Sequence, residues 1–233
     1  MAETASGNPN RLYRYLHAKY AIQAIQDGRL KVGRLAELND PFEFRPAILG
    51  LPEDASPELI DEHERIGINR LNGGAGILCF CKVISDPAVW THYGDEHKGV
   101  AFGFDYPSLE EQVKERNVTK VDYPPSELRP PIDYRVLSHL SAEDKDGLGQ
   151  TLLSRKARSW QYEQEYRIFV PLNLCENGMY WHPVPKNLLV VVVLGILCPF
   201  SDDDFRALLS SNGFEHTEVK RAKRSRMKYD VEI

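Results

Sequence analysis

Apolar and polar positions along the chain repeat with periods that lay out its elements. Leu12 to Leu16 predicts a first strand. In His17 to Asp27 the apolar residues Ala18, Ala21, Ile22 and Ile25 fall at helical spacing, and Gly28 follows where a helix commonly ends in a left-handed residue. Leu30 to Val32 predicts a short strand, and Asn39-Asp-Pro-Phe-Glu43 is turn chemistry, since Asn and Asp cap locally and Pro fixes φ. Ser56-Pro57 has the residues of a helix start and predicts a helix ending near Asn72-Gly-Gly-Ala-Gly76. An apolar strand over Ile77 to Val83 precedes a short helix from Asp86-Pro87 through Trp90 and Tyr93, and Lys98 to Phe104 is again a strand.

The second half continues the mixture. Ser108-Leu-Glu-Glu111 is a capping box that opens a short helix, Val118 to Tyr123 predicts a strand, and prolines 124, 125, 130 and 131 mark a loop. A second box at Ser141 and Asp144 opens a segment expected to be mostly helical to Trp160. Strands are expected at Tyr166 and from Leu188, then a helix from Ser201 to about Ser211, then strands over Glu215 to Lys220 and Met227 to Ile233. Helices and strands mix without regular βαβ alternation. The expected class is therefore α+β, with a mixed or antiparallel sheet flanked by helices. With no repeat and no clear linker, the expected organisation is a disordered lead-in over residues 1–10 and one α+β domain over 11–233.

Composition changes this picture little. The 233 residues are 42% hydrophobic and 27% charged, and the net charge of −5 excludes a wholesale polyanion binder while leaving room for a local basic patch. Met1 to Asn10 lacks the apolar core of a signal peptide. The longest apolar run, Leu188 to Val193 continuing through Gly195 to Leu197, is about half a membrane span. Four irregularly spaced cysteines fit a reducing compartment, so the expected location is cytoplasmic, with no membrane partner.

The candidate chemistry centres on Trp160-Gln-Tyr-Glu-Gln-Glu-Tyr-Arg167. Along an extended strand Glu163, Glu165 and Arg167 share one face. Three charges on one face of a segment that turns apolar are costly unless paired or used. Asn39, Asp40 and Glu43 surround a rigid turn and can either meet a ligand or cap their own backbone. Trp90 and Tyr93, three residues apart on a helix, can stack on a flat ring or fill a core. His92 and His97 lie close by, but no Cys or His spacing supports zinc, so no metal site is expected. Cys79 and Cys81 alternate on one strand face and fit buried thiols. Gly73-Gly74-Ala75-Gly76 lacks the Lys-Ser/Thr of a phosphate loop. The run Lys220-Arg-Ala-Lys-Arg-Ser-Arg-Met-Lys228 can contact phosphates or form a solvated hairpin.

In combination these blocks resemble the bacterial family known as domain of unknown function 2971. The resemblance rests on Leu12-Tyr-Arg-Tyr15, Asn39-Asp-Pro-Phe-Glu43, Cys79-Phe with Trp90-x-x-Tyr93-x-x-x-His97-x-Gly-Val100, and Lys156-x-x-x-Trp160-x-Tyr-Glu-x-Glu-Tyr-Arg167. Val89 and Gly94 depart from the usual pattern of the third block. More remotely, the order of the blocks is similar to that of ADP-ribosyltransferases. That likeness implies an ADP-ribosyltransferase-like fold, NAD as substrate, and ADP-ribose transfer or NAD cleavage, as in a toxin or phage-defence effector. It implies Glu165 and Glu163 as catalytic carboxylates and Tyr93 as the residue on which nicotinamide stacks. Tyr13, Arg14 and Tyr15 would sit on the first strand, with Arg14 on a phosphate, and Asn39, Asp40, Glu43, Trp90 and His97 would complete the nucleotide site. The usual His or Arg motif of that first strand is replaced here by Tyr13-Arg14-Tyr15. The competing expectation is a non-enzymatic nucleotide or nucleic-acid binding module of a defence system. In either case the 220–228 run could meet a protein or nucleic-acid acceptor.

Overall fold

The strands, in chain order, are β1 (Arg11–Leu16), β2 (Arg29–Val32), β3 (Ala47–Leu49), β4 (Gly76–Cys81), β5 (Val100–Asp105), β6 (Thr119–Lys120), β7 (Pro131–Asp133), β8 (Glu165–Val170), β9 (Cys175–Glu176), β10 (Met179–Pro183), β11 (Leu189–Leu194), β12 (Glu218–Arg221), β13 (Lys223–Arg224) and β14 (Val231–Glu232). The structure, a computed structural model, describes residues 8–52, 54–62, 65, 75–115, 117–126, 128–136, 139 and 141–233. Seven strands form the main sheet in the order β12-β11-β5-β1-β4-β8-β6. Its pairs are antiparallel except β11 with β12, so the sheet is mixed and the class is α+β, as the patterning predicts. Among the described residues there are also a three-stranded sheet, β2-β10-β9, and two-stranded pairs β3-β7 and β13-β14.

Strand alternation gives the main sheet two faces with different fates. Leu12, Leu78, Phe80, Phe102, Phe104, Val192 and Leu194 point to one side and form the larger core with helix α1 (Ala18–Asp27) and with Phe205 and Leu209 of the Asp202–Ser210 helix. Tyr13, Tyr15, Cys81, Ala101, Val191 and Val193 point to the other. There the Pro87–Tyr93 helix contributes Val89 and Trp90, the link between β12 and β13 contributes Ala222, and β14 contributes Val231. Fully burying a large apolar side chain stabilises by about 1.5–3 kcal/mol, so each face anchors its own layer.

The caps act where the sequence places them. Gly28 stands at φ 64 and its N–H donates to Ala24 O. Asp86 Oδ1 accepts from Ala88 N and Val89 N, which fixes the start of the helix that carries Tyr93. The boxes at Ser141 and Ser201 are both closed. Residues 57–62 are helical as expected, and the predicted end near Asn72 lies outside the described residues, as does the lead-in through residue 7. Asn8 Nδ2 donates to Asp105, and Arg11 N–H donates to Asn8 O.

Three expectations are corrected, and four strands are added. The helix from Ser141 stops at Ser154 rather than Trp160. A β-region Arg155 follows, then a 3-10 turn over Arg158–Glu163. Only Thr119–Lys120 of the Val118 to Tyr123 segment is strand, because it pairs with the end of β8 nearest the turn. Strands β3, β7, β9 and β10 are too short or too polar to register as apolar runs. Glu163 is not in the strand that carries Glu165. It closes the 3-10 turn, and Gln164 between them adopts φ 46.

Candidate functional site

Register brings the candidate residues to one face of the sheet. Tyr13 lies opposite Cys81, Cys81 opposite Glu165, and Cys79 opposite Arg167. Above this face a cleft of about 510 Å³, part of it open to solvent, is lined by Tyr13, Tyr15, Asn39, Glu43, Tyr93, Lys156, Glu163 and Glu165, with Leu38 and the two thiols between them.

The floor of the cleft is a buried ionic cluster of three carboxylates and two cations. Lys156 Nζ sits 2.7 Å from Glu163 Oε2, 3.2 Å from Glu165 Oε2 and 3.1 Å from Glu43 Oε1. Arg167 grips Glu165 with two bonds of 2.9 Å, one from Nε and one from Nη2. Its Nη2 also donates to Glu43 and its Nη1 to Leu153 O. The fork geometry of guanidinium suits such bidentate pairing. Arg167 is 0% exposed, Glu163 1% and Glu165 3%. Charges so buried persist only when paired and hydrogen-bonded, and this set supplies both conditions.

The carboxylates differ in their protonation preference. Burial alone would raise Glu165, but Arg167 and Lys156 outweigh it and hold the group below the usual carboxylate range. Burial wins at Glu163 and Glu43, and both are raised despite their cationic neighbours. Tyr93 donates from its hydroxyl to Glu163 Oε1 at 2.6 Å and accepts from Asn39 Nδ2 at 3.1 Å. Burial and the adjacent Glu163 charge keep this phenol well above its ordinary value, so it stays a donor. Burial likewise drives the Cys79 and Cys81 thiols upward and keeps them neutral.

Of the residues expected at a site, Tyr13, Tyr15, Asn39, Glu43, Tyr93, Glu163 and Glu165 converge on this cleft. Arg14 does not. Strand alternation sends it to the opposite face, where it donates to Cys79 O and Lys31 O and lies over the Phe80 ring. Asp40 is spent locally, accepting from Phe42 N at 2.9 Å. Trp90 is core: it is fully buried, donates to Ile84 O, and meets Tyr15 edge to face with centroids 4.9 Å apart. His97 stacks on Trp90 behind it and not on the cleft, in a turn where Asp95, Glu96 and His97 all have positive φ. Sequence reasoning missed the central part of Lys156. The signal was present, since Lys156 opens the block that contains both glutamates.

Beside Tyr93 and Lys156, the rings of His92, Trp160 and Tyr162 contact one another with centroids 6.0–6.3 Å apart, and Lys156 Nζ lies 4.7 Å from the Trp160 ring centre. Among the described residues no cluster of His, Cys, Asp and Glu is placed to hold a metal ion, and ammonium and guanidinium groups fill the space between the carboxylates. Nor is any helix among them long and apolar enough to cross a membrane.

One sheet face thus gathers Glu163, Glu165, Tyr13, Tyr15, Tyr93 and the paired Lys156 in a single cleft on an α+β scaffold, which makes it the candidate site. Residues 89–168, which hold the Tyr93 helix and most of the ionic cluster, match the family described as "Protein of unknown function (DUF2971)". Among solved structures the chain is similar to Thermus sp. 2.9 DarT in complex with NAD+, with 11% identity and a TM-score of 0.38, covering 93% of this chain and 97% of that one. It is also similar to Thermus sp. 2.9 DarT in complex with carba-NAD+, with 11% identity and a TM-score of 0.35, covering 93% and 95%. No curated protein matches.

Proposed function

We propose that this chain is an ADP-ribosyltransferase-like enzyme that uses NAD as substrate and transfers ADP-ribose or cleaves NAD. The observation that carries this reading is the convergence of Glu163, Glu165 and Tyr93 with Tyr13 and Tyr15 in one cleft. In this reaction the glycosidic C–N bond breaks, nicotinamide leaves with the bonding pair, and positive charge develops on the ribose. A carboxylate about 4 Å away at an effective dielectric near 20 stabilises that charge by roughly 4 kcal/mol. That is on the order of a thousandfold in rate. The cluster of three carboxylates and two cations carries a formal −1 when all are ionised, so its residual field favours a cation above it.

Glu165, held ionised by Arg167 and Lys156, supplies the fixed negative charge. Glu163, raised by burial, suits the general base that takes the proton of the incoming acceptor or water while the acceptor's electron pair forms the new bond to ribose. Tyr93 orients Glu163 and offers a ring against which nicotinamide packs. The setting of a toxin or phage-defence effector comes with the resemblance of the sequence blocks.

One observation favours a second reading, a non-enzymatic nucleotide or nucleic-acid binding module. Lys223, Arg224, Arg226 and Lys228 are exposed around the β13-β14 hairpin, which packs on the same sheet face as the cleft. Incubating the protein with labelled NAD and candidate acceptors separates the two. Turnover is expected to fall about a hundredfold or more in Glu165→Gln. NAD that neither binds nor turns over, or a Glu165→Gln variant as active as wild type, removes the enzyme reading.

A further inference from the structure

The buried cluster has an odd charge. Glu43, Glu163 and Glu165 bring three negative charges against the two positive charges of Lys156 and Arg167, all enclosed by protein. An uncompensated charge in such a place is costly, and either a proton or a bound cation cancels it.

Hydrogen-bond geometry singles out the seat for that proton. Both oxygens of Glu43 face a cation, Oε1 meeting Lys156 and Oε2 meeting Arg167. Both oxygens of Glu165 face Arg167, and its Oε2 meets Lys156 as well. Glu163 turns Oε2 to Lys156, but its Oε1 accepts from a neutral group, the Tyr93 hydroxyl at 2.6 Å. Among the described residues this is the one carboxylate oxygen of the cluster whose bonded partner is neutral, so it takes a proton without displacing a cation. Protonation turns the bond round: the carboxyl donates, and the Tyr93 oxygen accepts from it as it already accepts from Asn39 Nδ2. Burial favours the protonated form of Glu163 in the same sense. The other groups around Glu163 add no charge near pH 7. The Cys81 thiol of β4 and the phenols of Tyr123 and Tyr162 are all raised by burial and stay neutral. His92, an exposed imidazole beside Tyr93 and Tyr162, is the remaining titratable neighbour.

We infer that the cleft exchanges a proton for a flat cationic ligand: free of ligand, the cluster holds the proton between Glu163 Oε1 and Tyr93 Oη, and a planar cation seated above the cluster displaces it to solvent. Tyr13, Tyr15 and Tyr93 line the cleft, and aromatic rings attract such a cation. The site thereby tells a pyridinium ring from its uncharged counterpart. The choice of a pyridinium rests on the NAD reading above, but the binding test does not depend on turnover. The direction of the pH dependence follows. A carboxyl raised in the ligand-free protein keeps its proton to higher pH than usual, and a neighbouring cation lowers it. Proton release is therefore largest on the acid side of neutrality and fades as pH rises through the raised value, while affinity for the cation grows over the same window.

The test titrates 1-methylnicotinamide, a cation with no glycosidic bond to cleave, into the full chain by calorimetry. Buffers of different ionisation enthalpy count the protons released, and neutral nicotinamide is the control. Wild type is expected to release part of a proton on the acid side of neutrality and almost none at pH 8, and to bind the cation about threefold or more tightly at pH 8 than at pH 5. Nicotinamide is expected to bind with no proton exchange. Glu163→Gln, which stands in for the protonated form, is expected to bind the cation with one weak affinity at both pH values and to release nothing. Tyr93→Phe leaves Glu163 Oε1 without its donor, so release is expected to move to higher pH, a shift that a purely structural role for Tyr93 does not produce; this variant also serves if Glu163→Gln fails to fold. His92→Gln is expected to release as wild type does. The inference is overturned if wild type does not bind the cation, if it binds without releasing a proton, if nicotinamide releases as much, if Glu163→Gln still releases, if Tyr93→Phe leaves the release profile in place, or if His92→Gln abolishes release. Proton release in a chain that never turns over NAD retains the exchange and removes the enzyme reading, whereas turnover of NAD without release does the reverse.

Discussion

Replacing Lys156 by Met removes the one cation that touches Glu43, Glu163 and Glu165 together, while keeping most of the side-chain volume. Three buried carboxylates then face Arg167 alone, and the formal charge of the cluster moves from −1 to −2. Removing one partner of a buried pair costs about 3–5 kcal/mol, because the remaining charge is left uncompensated in a poorly solvated place. At about 2–4 °C per kcal/mol for a chain of this size, the melting temperature should fall by roughly 6–20 °C at neutral pH. The loss should depend on pH in a definite direction. Lys156 is raised above its ordinary value by its three partners against the effect of burial, so its stabilisation is fully present at pH 5–8 and lost only on the alkaline side. Glu163 is already raised by burial, and without Lys156 it rises further. A carboxyl raised in the folded state binds its proton more tightly there than in the unfolded chain, so it favours folding at low pH and opposes it as pH rises. The deficit of Lys156→Met should therefore be smaller at pH 5 than at pH 8. Urea melts of wild type and variant at both values measure this. A variant that matches wild type at pH 8, or a deficit that grows toward pH 5, refutes the hub assignment.

Arg14→Gln should leave affinity for any cleft ligand within about twofold, since its side chain lies on the opposite face, while lowering stability through its lost bonds to Cys79 O and Lys31 O; a tenfold drop in ligand affinity without a drop in melting temperature would sink that placement. Glu96→Gly should raise stability by about 0.5–1 kcal/mol, because a left-handed non-glycine residue costs about 1–2 kcal/mol and the loss of backbone freedom in glycine returns part of it. The exposed Lys98 pair lost with Glu96 adds little to the balance, and an unchanged denaturation midpoint would show that the turn is unstrained.

Periodicity made the framework legible. The strand at Leu12, helix α1 with its Gly28 stop, the capped Tyr93 helix and the buried Leu188 strand all follow from spacing and end signals that act within a few residues. What spacing cannot convey is which elements become neighbours. Tyr13, Tyr93 and Glu163 were named together by block order, and the sheet order β5-β1-β4-β8 gives the spatial reason: β1, β4 and β8 are adjacent, and the Tyr93 helix follows β4. The resemblance of the blocks implies Arg14 and Trp90 at the nucleotide. Strand alternation turned Arg14 away, and a whole hydrophobic layer claimed Trp90. Lys156 was legible only as a member of a block, because the Glu43 partner that gives it meaning lies far away in the chain.

The break between Glu163 and Glu165 ties the fold to the site. On one continuous strand the pair would have its carboxylates side by side and both within reach of Arg167. Instead the left-handed Gln164 ends a 3-10 turn, so Glu163 approaches Lys156 from the helix side and Glu165 from the sheet. The two acids thereby meet different partners. Tyr93 donates to Glu163, whereas Glu165 receives both arms of Arg167, and burial dominates the first while cations dominate the second. Environments that push two neighbouring carboxyls in opposite directions are how one site supplies both a fixed charge and a base. Since Lys156 joins the two acids to Glu43 of a distant turn, the same contacts that close the fold would, under the proposed function, also divide these roles.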